Sequence, residues 1–295
     1  MTEQLANRPD DPRWRDTDGT PIDEDHRGLV YDIGTLVDRR AVFGLFGGVA
    51  VTTLLAACSA SPTSGPTSGT SSSSTSSGSS GGATTTAEIT EVPDETAGPY
   101  PGDGSNGVNV LDDSGIVRSD IRSSFGASST TAKGVPLTIQ LTVRDAATGA
   151  ARVGAAVYLW HCDRDGNYSL YSDAAQDENY LRGVQEVDAN GTVTFTSIYP
   201  ACYTGRWPHI HFEVYSDVAT AVANGPIVKT SQIALPKEAN DLVYAASGYS
   251  SSVRNQAQVS LANDNVFGND GGIHQIASMS GSVSGGYTAA LTIGV

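Results

Sequence analysis

The sequence predicts an all-β domain, a β-sandwich with short helical or loop insertions. Short runs rich in Val, Ile, Thr and Tyr alternate apolar with polar positions, Gly, Asp and Asn turns separate them, and helical periodicity is scarce. Leu137, Ile139, Leu141 and Val143 interleave with Thr138, Gln140, Thr142 and Arg144, the period of two of a half-buried strand. A Gly/Ala turn leads to a second strand over 155–162, which the turn chemistry of Asp163-Arg164-Asp165-Gly166 ends. Asp188-Ala189-Asn190-Gly191 is another turn, followed by a strand over 192–198. In the next run, 209–215, Ile210, Phe212 and Val214 share one face and His209, His211, Glu213 and Tyr215 the other. Segments 227–235 and 287–295 complete the strands, and one short helix is expected near 238–246, just after Pro236. Many short strands and little helix make a sandwich.

The domain is preceded by two segments of different character. Asp38-Arg39-Arg40 opens an uncharged stretch over 41–57 that ends in Leu55-Ala56-Ala57-Cys58. That stretch is Gly-interrupted and shorter than the ~20 apolar residues of a membrane span, so it reads as a processing segment. The twin arginines resemble a Tat export signal, and the small residues before Cys58 resemble a lipoprotein cleavage site in which Cys58 is acylated. The expectation is an exported, extracytoplasmic protein, held to the membrane by a lipid at Cys58. Residues 59–87 are almost entirely Ser, Thr, Gly, Ala and Pro, a tether that cannot bury enough apolar surface to fold. The folded domain is expected from residue 88 to 295. A formal charge of −15 and the lack of Lys/Arg clusters argue against nucleic acid and for small-molecule partners. Oligomeric state is not legible.

Chemistry concentrates around His209-Ile210-His211. On a strand these imidazoles stand about 7 Å apart at Cβ on one face, close enough to grip one metal ion. Tyr203 lies six residues before His209, across Thr204-Gly205, with Arg206 between. Tyr168 follows an Asp-Gly turn. Two phenolates with two neutral imidazoles suit Fe(III) better than zinc or copper(I).

Three stretches, ETAGPYPG, VYLWHCDRDGNYS and LRGVQEVDANGTVTFTSIYPACYTGRWPHIHFEVY, resemble the intradiol ring-cleavage dioxygenases, a family that includes catechol and protocatechuate dioxygenases. The most specific likeness is Tyr203 followed by Arg-x-x-His-x-His and preceded by Gly-x-Tyr-Ser, and it extends over about 90–270 with Thr230-Ser231-Gln232 and Val266-Phe267. The resemblance implies a ferric enzyme that cleaves catechol-type diols between the hydroxyl-bearing carbons to muconate-type diacids. It implies Tyr168 and His209 as equatorial ligands, Tyr203 and His211 as axial ones, and Arg206 as the group that steadies negative charge on the substrate ring. Tyr203 would leave the metal as the diol binds and take up a proton. Tyr100, in Gly98-Pro99-Tyr100, matches the segment lining the substrate mouth.

Two departures stand out. Only Thr204-Gly205 separates Tyr203 from Arg206, and Ala201-Cys202 stands where a Pro-Gly turn is usual, so the substrate does not carry over. Both features resemble an exported branch without the family's long N-terminal dimerisation helices. An oxidising compartment, with Cys162 and Cys202 each near a ligand tyrosine, predicts a disulfide between them. His161 is expected as a satisfied core or edge histidine or a group behind the ligands, and Glu213 as a hydrogen-bond partner of an imidazole or a solvent-facing carboxylate. Two further readings stay open, a non-catalytic extracellular binding module and a copper or zinc site of other chemistry. The two tyrosines argue against both.

Overall fold

The computed structural model describes residues 89–295. The expected signal segment, Cys58 and the expected Ser/Thr tether lie outside those residues. Eight strands form two sheets: β1 (Pro136–Arg144), β2 (Ala156–Trp160), β3 (Arg182–Glu186), β4 (Thr192–Ile198), β5 (His209–Tyr215), β6 (Ile227–Ala234), β7 (Ser278–Ser282) and β8 (Gly286–Gly294). One sheet has the order β4-β1-β8-β7 and the other β3-β2-β5-β6. Neighbours are antiparallel except β1 and β8, which run parallel. Leu137, Ile139, Leu141 and Val143 of β1 meet Val157 and Leu159 of β2 and Ile210, Phe212 and Val214 of β5 in the core between the sheets. The alternation read from the sequence is therefore the inner face of this sandwich.

The sequence gives β5 one core face, yet all seven of its residues are buried, as are all five of β2. The cause is the segment before β1. Tyr100, Val110, Leu111 and Ile116 pack onto the outer face of the second sheet, against Ala156, Tyr158, Trp160, Val184 and Tyr215, and build a second core there. Main-chain bonds fasten this cover, from Arg118 N to Val184 O at 3.0 Å, Val184 N to Ile116 O at 2.8 Å and Ile121 N to Thr196 O at 2.9 Å. The polar face of β5 thus looks into a closed interior.

The expected helix is present as α2 (Lys237–Tyr244), accompanied by two that sequence reading did not foresee, α1 (Val218–Val222) and α3 (Ser250–Gln256). Five residues are too few for α1 to show a period; Asp217 caps it by accepting from Thr220 N at 2.7 Å. α3 opens in Ser250-Ser251-Ser252, a loop-like composition. Tertiary contact overrides it, because Ser252 Oγ accepts from Cys202 N at 3.0 Å in the interior. Strands β3 and β7 also went unforeseen, since Arg-Gly-Val-Gln-Glu and Ser-Met-Ser-Gly-Ser carry no apolar alternation. Pairing with β2 and β8 makes them strands.

Tyr249 joins the approach to β1 with the end of β4. Its hydroxyl accepts from Val135 N at 3.0 Å and donates to Tyr199 O at 2.8 Å, all buried. Tyr249→Phe leaves both main-chain groups without that partner, which costs about 1–3 kcal/mol. Thermal unfolding is expected to shift down by roughly 2–12 °C, at about 2–4 °C per kcal/mol for a domain of this size. An unchanged midpoint would refute this role.

Candidate metal centre

β5 sets His209 and His211 on the face covered by the N-terminal segment, in register with Ala234 and Gln232 of β6, and His211 opposite Trp160 of β2. Tyr168 arrives from the loop after β2. Asp163 Oδ1 shapes that loop by accepting from Asp165 N at 2.8 Å and Asn167 N at 2.9 Å, while Tyr168 N donates to Ser172 Oγ at 2.9 Å. Tyr203 arrives from the turn before β5. The four polar tips converge: His209 Nε2 lies 3.1 Å from His211 Nε2 and 3.2 Å from Tyr203 Oη, and Tyr168 Oη lies 3.4 Å and 3.3 Å from the two Nε2 atoms.

This arrangement fits a metal ion. Neighbouring ligands with bonds of about 2 Å stand roughly 2.9–3.5 Å apart on one ion, the spacing these tips share. His209 Nδ1 lies 2.6 Å from Trp207 O, so that nitrogen carries the proton and Nε2 offers a lone pair toward the centre. The His211 ring stacks on Trp160 at 4.9 Å and 5°, and its Nδ1 is buried without a hydrogen-bond partner. Burial drives both imidazoles well below the usual histidine range; for His209 the Arg206 charge adds to this, and for His211 the neighbouring His209 and then Arg206. Burial, and then Tyr203, hold the Tyr168 phenol well above its ordinary range. Neutral imidazoles and a phenol that resists ionising need a strongly charged cation to become a phenolate and imidazole donor set. Among the described residues no three His, Cys, Asp or Glu side chains gather as metal ligands.

The predicted site residues mostly meet here. Tyr168, His209, His211 and Arg206 are buried, and Tyr203 alone of the four donors is half-exposed. Tyr100 packs its ring on Tyr168 at 4.9 Å. Gly98 makes this possible: its φ is +72°, and a Cβ there would stand 3.3 Å from the His211 ring. Arg206 donates from Nη2 to Gln232 Oε1 at 2.7 Å and from Nε to Asp264 Oδ2 at 3.1 Å.

Sequence reasoning missed Asp264, which has no local motif. Its carboxylate also accepts from Trp207 N at 2.7 Å, Val266 N at 2.8 Å and Phe267 N at 3.1 Å, fixing the guanidinium and the entry to β5 together. Gln232 bridges Arg206 to the covering segment by donating to Thr96 O at 2.9 Å.

Two expectations are corrected and a third, for His161, is met. Cys162 and Cys202 are two separate buried thiols, not a disulfide. Cys202 Sγ is turned to Arg206 O at 3.3 Å, Cys162 Sγ lies 3.8 Å from Ala201 O, and burial pushes the Cys202 thiol up to about 12. Glu213 does not face solvent, because the cover buries its end of β5, and Tyr215 Oη donates to it at 2.7 Å. His161 is the satisfied core histidine, with Nδ1 2.7 Å from Cys162 O and Nε2 2.7 Å from Ser197 Oγ.

Near Arg206 and Asp264, Glu95 is partly buried, and that burial raises its carboxyl to about 7. The unfolded carboxyl titrates near 4.5, so its contribution to stability is full below pH 4.5 and is lost as pH rises through about 7. Glu95→Gln is expected to flatten the fall in melting temperature across that window, measured in a pH series. An unchanged slope would place the titration elsewhere.

Comparison with known proteins agrees with this geometry. The sequence model of the family described as Dioxygenase matches residues 122–223. Chlorocatechol 1,2-dioxygenase of Rhodococcus opacus is 40% identical over 62 residues, 21% of this chain and 24% of that protein, so the chain matches about a quarter of that relative's length. Among solved structures, the intradiol ring-cleavage dioxygenase of Tetranychus urticae is 26% identical over 70% of this chain and 94% of its own, with a TM-score of 0.54. A second solved dioxygenase, 25% identical with the same coverage, has a TM-score of 0.55. The matched segment runs through β5, which carries both histidines, and over 70% of its length the chain is similar in fold to a solved intradiol ring-cleavage dioxygenase.

Proposed function

We propose that this protein is a non-haem iron(III) dioxygenase that cleaves catechol-type diols between the two hydroxyl-bearing carbons, giving muconate-type diacids. The observation that carries the reading is the convergence of two phenols and two imidazoles, each tip within 3.4 Å of another, in a buried site. Tyr168, Tyr203, His209 and His211 would hold the metal, and ferric iron bound there supplies an electron-accepting centre that activates a chelated diol towards dioxygen.

The remaining work falls to the chain. Tyr203 is the donor with access to solvent, so it is the one with room to move aside, and its Oη can take a proton from a substrate hydroxyl. Arg206, held on two sides by Asp264 and Gln232, presents a fixed positive charge that steadies negative charge on the ring without reorganising. Tyr100, against Tyr168, forms one wall and helps exclude water. The short Thr204-Gly205 link favours several ring substituents, with no strict need for a carboxylate on the substrate.

The same proposal places the domain outside the cytoplasm, tethered by residues 59–87 to a lipid on Cys58. Fatty-acid labelling of the full chain that disappears in Cys58→Ala checks the anchor, and labelling that persists would refute it. Iron-loaded domain is expected to be red-brown from phenolate-to-iron charge transfer, and a colourless ferric sample would remove the iron assignment. Tyr203→Phe is expected to keep most of its iron and lose about 10²–10⁴ in turnover, the usual share of a positioned proton acceptor. His211→Ala is expected to lose iron, colour and rate together. With isotope-labelled dioxygen both atoms should enter one diacid; a ring-opened aldehyde, or no oxygen uptake with any catechol, would overturn the function.

A further inference from the structure

Among the described residues, the largest buried charged side chain outside the candidate metal centre is Arg182 at the start of β3, 1% exposed. All five of its N–H groups are used: Nε donates to Ser169 Oγ at 3.0 Å, Nη1 to Pro101 O at 2.8 Å and Tyr158 Oη at 3.0 Å, and Nη2 to Tyr100 O and Ser169 O, each at 2.9 Å. None of these acceptors is a carboxylate. A buried charge is costly unless its surroundings are built around it, so five neutral acceptors aimed at one fork mark a designed junction.

What the fork joins is specific. Ser169 follows Tyr168, one of the four converging donors, while Tyr100 and Pro101 belong to the covering segment. Tyr158 Oη also donates to Pro101 O at 2.7 Å, closing the junction from β2. Half-exposed Tyr171 adds an outer latch: its ring lies 5.5 Å from the Arg182 guanidinium, and its Oη accepts from Gly102 N at 2.9 Å and donates to Asn106 Oδ1 at 2.9 Å. The tilted packing of Tyr100 against Tyr168, at 4.9 Å and 32°, follows from main chains held at this fixed separation.

We infer that Arg182 is a positioning residue that sets the width of the substrate opening, by fixing the Tyr100–Pro101 main chain to the Tyr168–Ser169 main chain. Lysine cannot replace it, since an ammonium is a point charge with three donors and cannot span both segments as a planar fork does. The inference rests on the proposed dioxygenase reading for its substrate, though not for the junction itself.

The test compares Arg182→Lys and Arg182→Met with the unchanged chain. Amide hydrogen exchange is followed across 96–106 in metal-free protein, and KM and kcat in iron-loaded protein with catechol and a bulkier 4-substituted catechol. Exchange across 96–106 is expected to quicken, and KM to rise about tenfold or more, the equivalent of one or two lost charged hydrogen bonds, with kcat within about threefold. Discrimination between the two catechols should narrow while iron content and the visible band persist. Should Arg182→Met fail to fold, Tyr171→Phe, which loosens only the outer latch, is expected to move exchange and KM the same way by a smaller factor. Unchanged exchange in both Arg182→Lys and Tyr171→Phe, or faster exchange with unchanged KM, overturns the inference. If the unchanged iron-loaded protein turns over no catechol, the dioxygenase reading fails, and exchange alone decides the junction.

Discussion

The Nε2 atoms of His209 and His211 face each other across 3.1 Å in an interior that disfavours a proton on either ring, and most of the domain answers to that geometry. Lone pairs this close repel unless a cation lies among them. Holding them there requires a rigid strand, a tautomer fixed from behind and a floor under the ring. β5 provides the strand, the Trp207 carbonyl fixes His209, and the Trp160 face supports His211. The aromatic and main-chain groups around the rings thus do as much to define the centre as the four donors.

Two guanidiniums serve this interior in different ways. Arg206 has a buried carboxylate partner, so its charge is compensated and its direction fixed, and it still reaches far enough electrostatically to depress both imidazoles. Arg182 binds neutral oxygens only, and its value lies in its shape, a planar fork that gathers main-chain carbonyls from two segments. One supplies charge to the site and the other supplies spacing.

The covering segment explains why three of the four donors are buried. An antiparallel sheet can leave one face in water, and a His-x-His strand there would be an ordinary polar surface. Here the residues before β1 bury that face and create a second core around Tyr158, Trp160 and Tyr168. The same burial keeps Cys162 and Cys202 as thiols turned to separate carbonyls, and turns Glu213 to Tyr215.

The sequence by itself determined the sandwich and the ranges of β4 and β5, because period-two alternation and turn residues act within a few positions along the chain, while the meeting of Tyr168 and Tyr203 with His209 and His211 was legible only through the family resemblance. It located α2 within two residues at each end for the same reason, a proline followed by a helical run. Asp264, Gln232 and Arg182 were invisible in these roles, since each has a defining partner far away in the chain, 58, 26 and 82 residues respectively, and no local pattern to announce it. Strands β3 and β7 and helix α3 were likewise set by pairing and burial against intrinsic composition. Only the tertiary structure decided that both faces of β5 are buried, and with it whether two neighbouring histidines on a strand face water or a closed site, because burial depends on a segment about a hundred residues away in the chain folding across them.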